Sequence, residues 1–296
     1  MRLKKIGVLG AGTSGKGIIR SLAGSGLDVI FCEISQEKVE SALRELTETL
    51  DREKARWGVT EGEKRLILSR IHGTTDLRAM GGSQVVLEVI PGGLEEKQTI
   101  FQEMDQVFPP ETVLVTNSAT LCVSDIARKT RHPERIVAMH FCLPVPERPI
   151  VEIVKGQFTS DKTMEVARFL ARIMKKTVLE VFEMPGLITT RIMVPYINEA
   201  MHIVMEGMAS ADEVDEAIRL GFKLPIGPLA MADEIGLDVL LRDMEHLFNA
   251  LGELQYRPCP LLRRMVREGH MGLKSRRGFF CYDENGKRAG SPADGY

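Results

Sequence analysis

Six residues near the start of the chain, Gly10-Ala11-Gly12-Thr13-Ser14-Gly15, restrict most tightly what it can fold into. They form a GxGxxG run directly after the apolar stretch Lys5–Leu9 and at the head of a helix predicted over Ser14–Gly24. The pattern alone is weak; a strand before it and a helix after it make it specific. The glycines permit a tight turn and close approach of a pyrophosphate. The helix N-terminus adds unpaired N–H groups and a positive dipole end. Gly10, Gly12, Thr13, Ser14 and Gly15 are therefore candidate dinucleotide contacts. Glu33 closes a second predicted strand, Asp28–Cys32, 21 residues after Gly12. A carboxylate there can accept from both ribose hydroxyls and repels a 2′-phosphate, which selects NAD over NADP. The alternative, a glycine-rich turn that binds nothing, is outweighed by this setting.

The pattern beyond the loop continues the theme. Helices are predicted over Gln36–Arg56 and Glu61–Arg70, joined by a turn at Gly58-Val59-Thr60, then a strand at Gln84–Val89 and a helix at Leu94–Val107. Strands follow at Thr112–Thr116, Arg135–His140 and Pro149–Val154, then a helix at Lys162–Met174 and a last strand at Thr177–Phe182. Strands alternating with helices imply a parallel, doubly wound α/β sheet. From Glu183-Met184-Pro185-Gly186 onward the pattern becomes helical: Ile188–Met208, with Pro195 expected to kink it or lie near its start, then Asp212–Leu220, Pro228–Gly236, Val239–Leu251 and Pro260–Glu268. The expected organisation is a Rossmann-like NAD-binding domain over 1–183 and an all-α domain over 184–296. The polar, glycine-rich end, Gly286–Tyr296, reads as a loose tail.

Composition removes several function classes. A formal net charge of −2 lacks the basic footprint of a nucleic-acid binder. No apolar run approaches the roughly 20 residues a bilayer span requires. The basic start gives way at once to the glycine loop, so neither signal nor transit peptide is expected and the cytoplasm is the expected location. Five cysteines, Cys32, Cys122, Cys142, Cys259 and Cys281, are odd in number and never spaced CxxC. Neither a disulfide framework nor a structural zinc site is expected, and no metal is assigned.

His140 ends the strand Arg135–His140 and so should lie at the carboxyl edge of the sheet, where doubly wound folds bind ligands. Imidazole is the side chain suited to proton transfer at neutral pH. Glu152, twelve residues on and in the next strand, can hold one ring nitrogen and leave the other for substrate. His140 and Glu152 are the candidate catalytic pair.

The segment Met139-His140-Phe141-Cys142-Leu143-Pro144-Val145-Pro146 resembles the His-Phe-Phe-Asn-Pro-Val-Pro segment of the L-3-hydroxyacyl-CoA dehydrogenases. Further matches run through Asn117–Ala127, Pro185–Ile188, Pro195–Ala200, Gly221–Pro228, Asp233–Asp238 and Lys274–Tyr282. The resemblance implies NAD-dependent oxidation of a 3-hydroxyacyl-CoA, with short chains weakly preferred, and a homodimer formed through the helical domain. Met193, Met201, Met205, Met208 and Met231 fit such an interface but also suit an ordinary core. It further implies that Asn117 and Lys97 lie by the cofactor; the competing readings are a strand-end cap and a solvated lysine. In the family the helical pair between residues 36 and 71 lies against the CoA arm. Arg52, Lys54, Arg56, Lys64 and Arg65 could there meet phosphates, although acidic residues are interleaved.

Four family positions differ. Leu143 and Thr190 replace asparagines, Ala119 a serine, and Gly92 a glutamate. Ala119, Leu143 and Thr190, with Lys54, are the substrate-side candidates. Neither Leu143 nor Ala119 can donate a hydrogen bond from its side chain, and losing a donor aimed at developing oxyanion charge costs about 10²–10³ in rate. The departures motivate an alternative substrate, a CoA-free 3-hydroxy acid or related alcohol. A non-catalytic NAD-binding protein is the third reading.

Overall fold

The structure is a computed structural model that describes residues 2–57, 60–284 and 286–290, without the side chains of 53–57. The chain falls into two compact units, Met1–Leu187 and Ile188–Tyr296.

The first unit runs β1 (Lys5–Leu9), α1 (Thr13–Gly24), β2 (Asp28–Cys32), α2 (Gln36–Trp57), α3 (Glu61–Leu68), β3 (Ile71–Thr74), β4 (Val85–Glu88), α4 (Leu94–Val107), β5 (Val113–Thr116), α5 (Val123–Ala127), β6 (Ile136–Phe141), β7 (Ile150–Val154), α6 (Asp161–Ile173) and β8 (Thr177–Val181). Among the described residues these strands form one sheet of order β3-β2-β1-β4-β5-β6-β7-β8. Alternation along the central strands loads both faces. Ile6, Val8, Leu87, Val115, Val137 and Met139 join Ile18, Leu22, Leu46 and Leu170 on one side. Val86, Leu114, Ile136 and Ala138 join Phe101, Met104 and Ile126 on the other. Strands buried on both faces read as continuous apolar runs, which is why the periodicity announces them clearly.

In the first unit the structure departs from the sequence expectation in three places. β3 is an extra edge strand, paired parallel to β2. Its sequence, Ile-His-Gly-Thr, offers one large apolar residue in four. The sheet is not wholly parallel, because β7 runs antiparallel to β6 and β8 runs parallel to β7. The connection from Cys142 to Pro149 contains no helix and so returns the chain beside β6 in the opposite sense. α5 is a one-turn helix inside the stretch Asn117–Ala127. The turn expected at Gly58 and Val59 lies outside the described residues.

The second unit contains α7 (Thr189–Met205), α8 (Ala211–Gly221), α9 (Pro228–Ile235), α10 (Leu237–Leu251), α11 (Pro260–Arg267) and a small antiparallel pair, β9 (Cys281–Tyr282) and β10 (Arg288–Gly290). α7 ends earlier than its apolar pattern suggests. Gly207 takes a positive φ of 71°, and the Met208 N–H turns back to the Ile203 carbonyl at 3.1 Å. Pro195 stands well inside α7. Asp233, wholly buried in α9, accepts from the N–H groups of Phe279 and Phe280 and from the Tyr282 hydroxyl. That anchors residues 279–282 on the core of the second unit. Residues 286–290 are consequently no loose tail: Arg288 pairs with Asp212 and stacks over Phe280. Residues 291–296 lie outside the described residues.

Candidate active site

The glycine loop leaves β1 and enters α1 with the geometry a dinucleotide needs. A Cβ on Gly15 would sit 2.1 Å from the Gly10 carbonyl oxygen, whereas one on Gly12 would meet nothing within 4 Å. The first glycine contact lets the loop close on the helix; the second leaves open space where a phosphate can approach. Gly10 holds a positive φ of 96°. α1 starts at Thr13 and Ser14, its N-cap Gly12 has no described side-chain cap, and its first turn carries no acidic residue. Its N–H groups are thus left to an anion. Glu33 stands beside this loop, its Oε1 accepting from the Ala11 N–H at 2.6 Å. Its two oxygens retain acceptor capacity for ribose hydroxyls. These residues fit NAD.

The four strand ends that follow along the sheet bring the remaining groups together. His140 lies in β6 directly opposite Glu152 in β7. Its Nδ1 is 2.8 Å from Glu152 Oε2. Glu152 is wholly buried, and the His140 side chain is 15% exposed. A carboxylate can only accept, so Nδ1 carries the hydrogen and Nε2 is left as the exchangeable site. Asn117, just past β5, accepts from the Phe141 N–H at 3.0 Å and ties the end of β5 to the residue after His140. Whatever its part in cofactor binding, this bond makes Asn117 a strap on the strand that carries His140.

Of the two readings of Lys97, the solvated one fails. It is 4% exposed, so it is no solvated helix lysine. Its Nζ donates to Glu88 Oε1 and to the Ile90 carbonyl, each at 2.5 Å. Glu88, wholly buried at the end of β4, also accepts from the Ile90 N–H and the Thr116 hydroxyl. The ammonium is committed to this internal network. One signal was available: Lys97, Phe101 and Met104 share the apolar face of α4 at helical spacing.

The substrate-side candidates divide. Ala119 is half-buried, and its carbonyl accepts from the Gly186 N–H at 2.7 Å. Leu143 is half-buried and packs on the apolar core of the first unit. Gly92 has a φ of 154°, where an L side chain is strained, so a glutamate could not be restored there without moving the backbone. Thr190 belongs to the second unit, in the first turn of α7. The Lys54 side chain, like that of Arg56, lies outside the described residues. Of the other basic groups near it, Lys64 is paired with Asp51 at 2.5 Å and Arg52 donates to Thr49 at 3.1 Å.

Sequence reasoning missed two groups, one next to His140 and one under the connection that follows it. Cys142 follows two residues later, just past β6, with its sulfur within 4.8 Å of a ring nitrogen of His140, while Phe141 between them is buried in the core. Lys176 is buried and donates to the carbonyls of Val145 and Arg148 at 2.5 and 2.6 Å. Burial, and then the charge of Arg20, hold its ammonium below the ordinary lysine range, with Cys142 acting in the opposite sense.

Comparison with known proteins agrees with this architecture. Residues 5–184 match the model of the 3-hydroxyacyl-CoA dehydrogenase NAD binding domain, and residues 186–282 that of the 3-hydroxyacyl-CoA dehydrogenase C-terminal domain. A probable 3-hydroxybutyryl-CoA dehydrogenase of Bacillus subtilis is 39% identical, with 96% of this chain and 99% of the relative covered. The 3-hydroxybutyryl-CoA dehydrogenase of Clostridioides difficile is 36% identical over 95% of this chain and 100% of its own. Among solved structures, (S)-3-hydroxybutyryl-CoA dehydrogenase from Ralstonia eutropha superposes with a TM-score of 0.81 at 35% identity, covering 96% of this chain and 100% of the other. The chain belongs to the 3-hydroxyacyl-CoA dehydrogenase family. It is accordingly an NAD-dependent oxidoreductase, of the class that interconverts 3-hydroxyacyl-CoA and 3-ketoacyl-CoA.

Proposed function

We propose that this enzyme interconverts a short-chain L-3-hydroxyacyl-CoA and its 3-ketoacyl-CoA, with His140 as the acid/base and Glu152 as the residue that positions it. The carrying observation is the cross-strand hydrogen bond between His140 Nδ1 and Glu152 Oε2 at the carboxyl end of β6. NAD held by the glycine loop and Glu33 would supply the hydride acceptor for oxidation at C3 and, reduced, the donor for the reverse reaction. His140 Nε2 accepts the hydroxyl proton in the first direction and gives one back in the second. Glu152 fixes the ring orientation and stabilises the imidazolium. Gly10, Gly12, Thr13, Ser14 and Gly15 seat the pyrophosphate and Glu33 the adenosine ribose.

Short-chain acyl-CoA is favoured because the relatives named above are 3-hydroxybutyryl-CoA dehydrogenases. A second reading, a CoA-free 3-hydroxy acid, draws on Leu143 and Ala119, which offer no side-chain donor. We place the enzyme in the cytoplasm on its likeness to bacterial 3-hydroxybutyryl-CoA dehydrogenases. A homodimer through the second unit is favoured by Ile192, Met208, Leu220, Phe222 and Leu254, all more than half exposed there. The test is NADH loss with acetoacetyl-CoA, run against free acetoacetate. Turnover of the thioester alone, abolished in His140→Ala while NADH still binds, is the expected result. Turnover of acetoacetate alone overturns the acyl-CoA assignment.

A further inference from the structure

The strand register that presents His140 also presents a third donor. One ring nitrogen of His140, the Cys142 sulfur and a carboxylate oxygen of Glu152 lie within 4.8 Å of one another. Cys142 and His140 are half-buried, so solvent reaches them, while Glu152 is sealed beneath. In the family segment quoted above the Cys142 position is the second phenylalanine, a departure beyond the four polar ones named there.

Nitrogen, thiolate and carboxylate together suit a borderline-soft divalent ion better than magnesium or calcium, which prefer all-oxygen shells. Donors around a tetrahedral zinc ion, at about 2.0–2.3 Å from it, are about 3.3–3.6 Å apart. The widest pair therefore needs to close by roughly 1 Å, within the reach of side-chain rotation. Three protein ligands leave a fourth position to water.

We infer that His140, Cys142 and Glu152 form an inhibitory site for a thiophilic divalent cation of the zinc class. Binding involves no electron transfer: the Cys142 thiol gives its proton to solvent, the imidazole supplies a lone pair and the carboxylate a negative oxygen. Either ring nitrogen costs the enzyme its acid/base. Ligation through Nε2 occupies the atom that exchanges the substrate proton. Ligation through Nδ1 displaces that nitrogen's hydrogen and breaks the bond to Glu152. The inhibition, though not the binding, rests on the acid/base role proposed for His140.

The test uses whole enzyme stripped with EDTA and dialysed. Cadmium is titrated while the ultraviolet thiolate-to-metal charge-transfer band is followed. Zinc affinity is measured by competition with a chromophoric chelator, and NADH loss with acetoacetyl-CoA is read at each zinc level. One equivalent should bind, with the band present and turnover falling in step with occupancy until EDTA restores it. Cys142→Ser and Cys142→Phe should each lose the band and weaken zinc binding roughly 100-fold or more, since a direct ligand matters at least as much as the outer groups whose loss costs about 10–100-fold. A band of unchanged size in both variants, or zinc that accelerates turnover, overturns the inference. Failure to turn over acetoacetyl-CoA with the band intact would sink the proposed reaction and leave the metal site standing.

Discussion

Glu152→Gln isolates the positioning residue without changing its size. The carboxylate is wholly buried and 2.8 Å from His140 Nδ1, so solvent cannot replace the lost charge. A hydrogen bond to a charged partner is worth about 1.5–3 kcal/mol net. If that stabilisation accrues as the ring becomes an imidazolium, its loss slows turnover about 10- to 150-fold, at about 1.4 kcal/mol per decade. The amide adds a second handicap. Its NH₂ can donate to Nδ1, which leaves the hydrogen on Nε2 and removes the lone pair that accepts the substrate proton. Substitution of a buried orienting carboxylate by its amide in a serine-protease triad costs about 10⁴, which sets the upper limit. The assay is steady-state NADH loss with acetoacetyl-CoA, with NADH affinity read by fluorescence and folding by thermal unfolding. kcat should fall about 10²-fold with NADH affinity unchanged. His140→Ala combined with Glu152→Gln should be no slower than His140→Ala alone, because Glu152 acts through His140. A single variant that folds normally and keeps kcat within about threefold, or a double variant with additive losses, refutes the reasoning.

Three other outcomes follow from the geometry. Glu33→Ala should raise the Kd for NADH by about tenfold, one charged hydrogen bond's worth, and narrow the preference over NADPH, both read by fluorescence titration. Lys97→Met strands the buried Glu88 carboxylate and should cost about 3–5 kcal/mol of stability in urea, whereas a purely cofactor-side lysine would leave the midpoint unmoved. Burial pushes the Asp233 carboxyl up to about 7 against the pull of its three donors. Its folded value lies above its unfolded one, so its stabilising contribution is full below about pH 4 and fades as pH rises through about 7. Thermal unfolding between these limits should show that decline. Asp233→Asn should flatten it while costing about 1–3 kcal/mol, as the amide NH₂ meets a backbone N–H donor.

What could be read from residues alone was whatever local pattern encodes. The glycine loop, Glu33 and the twelve-residue spacing of His140 and Glu152 combine a turn, a strand end and a periodicity, and the structure brings the last two into contact. Strand direction is not local: a run such as Ile150–Val154 reads the same whichever way it enters the sheet. β3 escaped because an edge strand covered on little of its surface needs little apolar sequence. Lys97 was legible as a helix residue, but its partner Glu88 sits nine residues earlier at a strand end, and only the fold shows that the two meet. The same applies to Lys176, whose partners lie across the sheet in the connection before β7.

The reversal at β7 has a consequence for how such an enzyme can diverge. His140 and Glu152 are held together by strand pairing and not by the chain that joins them. A one-residue slip would present Val151 or Ile153 to the ring and remove the carboxylate that holds it. Residues 142–149, by contrast, can lengthen, shorten or change composition while the pairing stays in step. The contact between His140 and Glu152 thus does not depend on the length of the connection beside it, so this stretch is where selection can rewrite substrate preference while the pair stays in place.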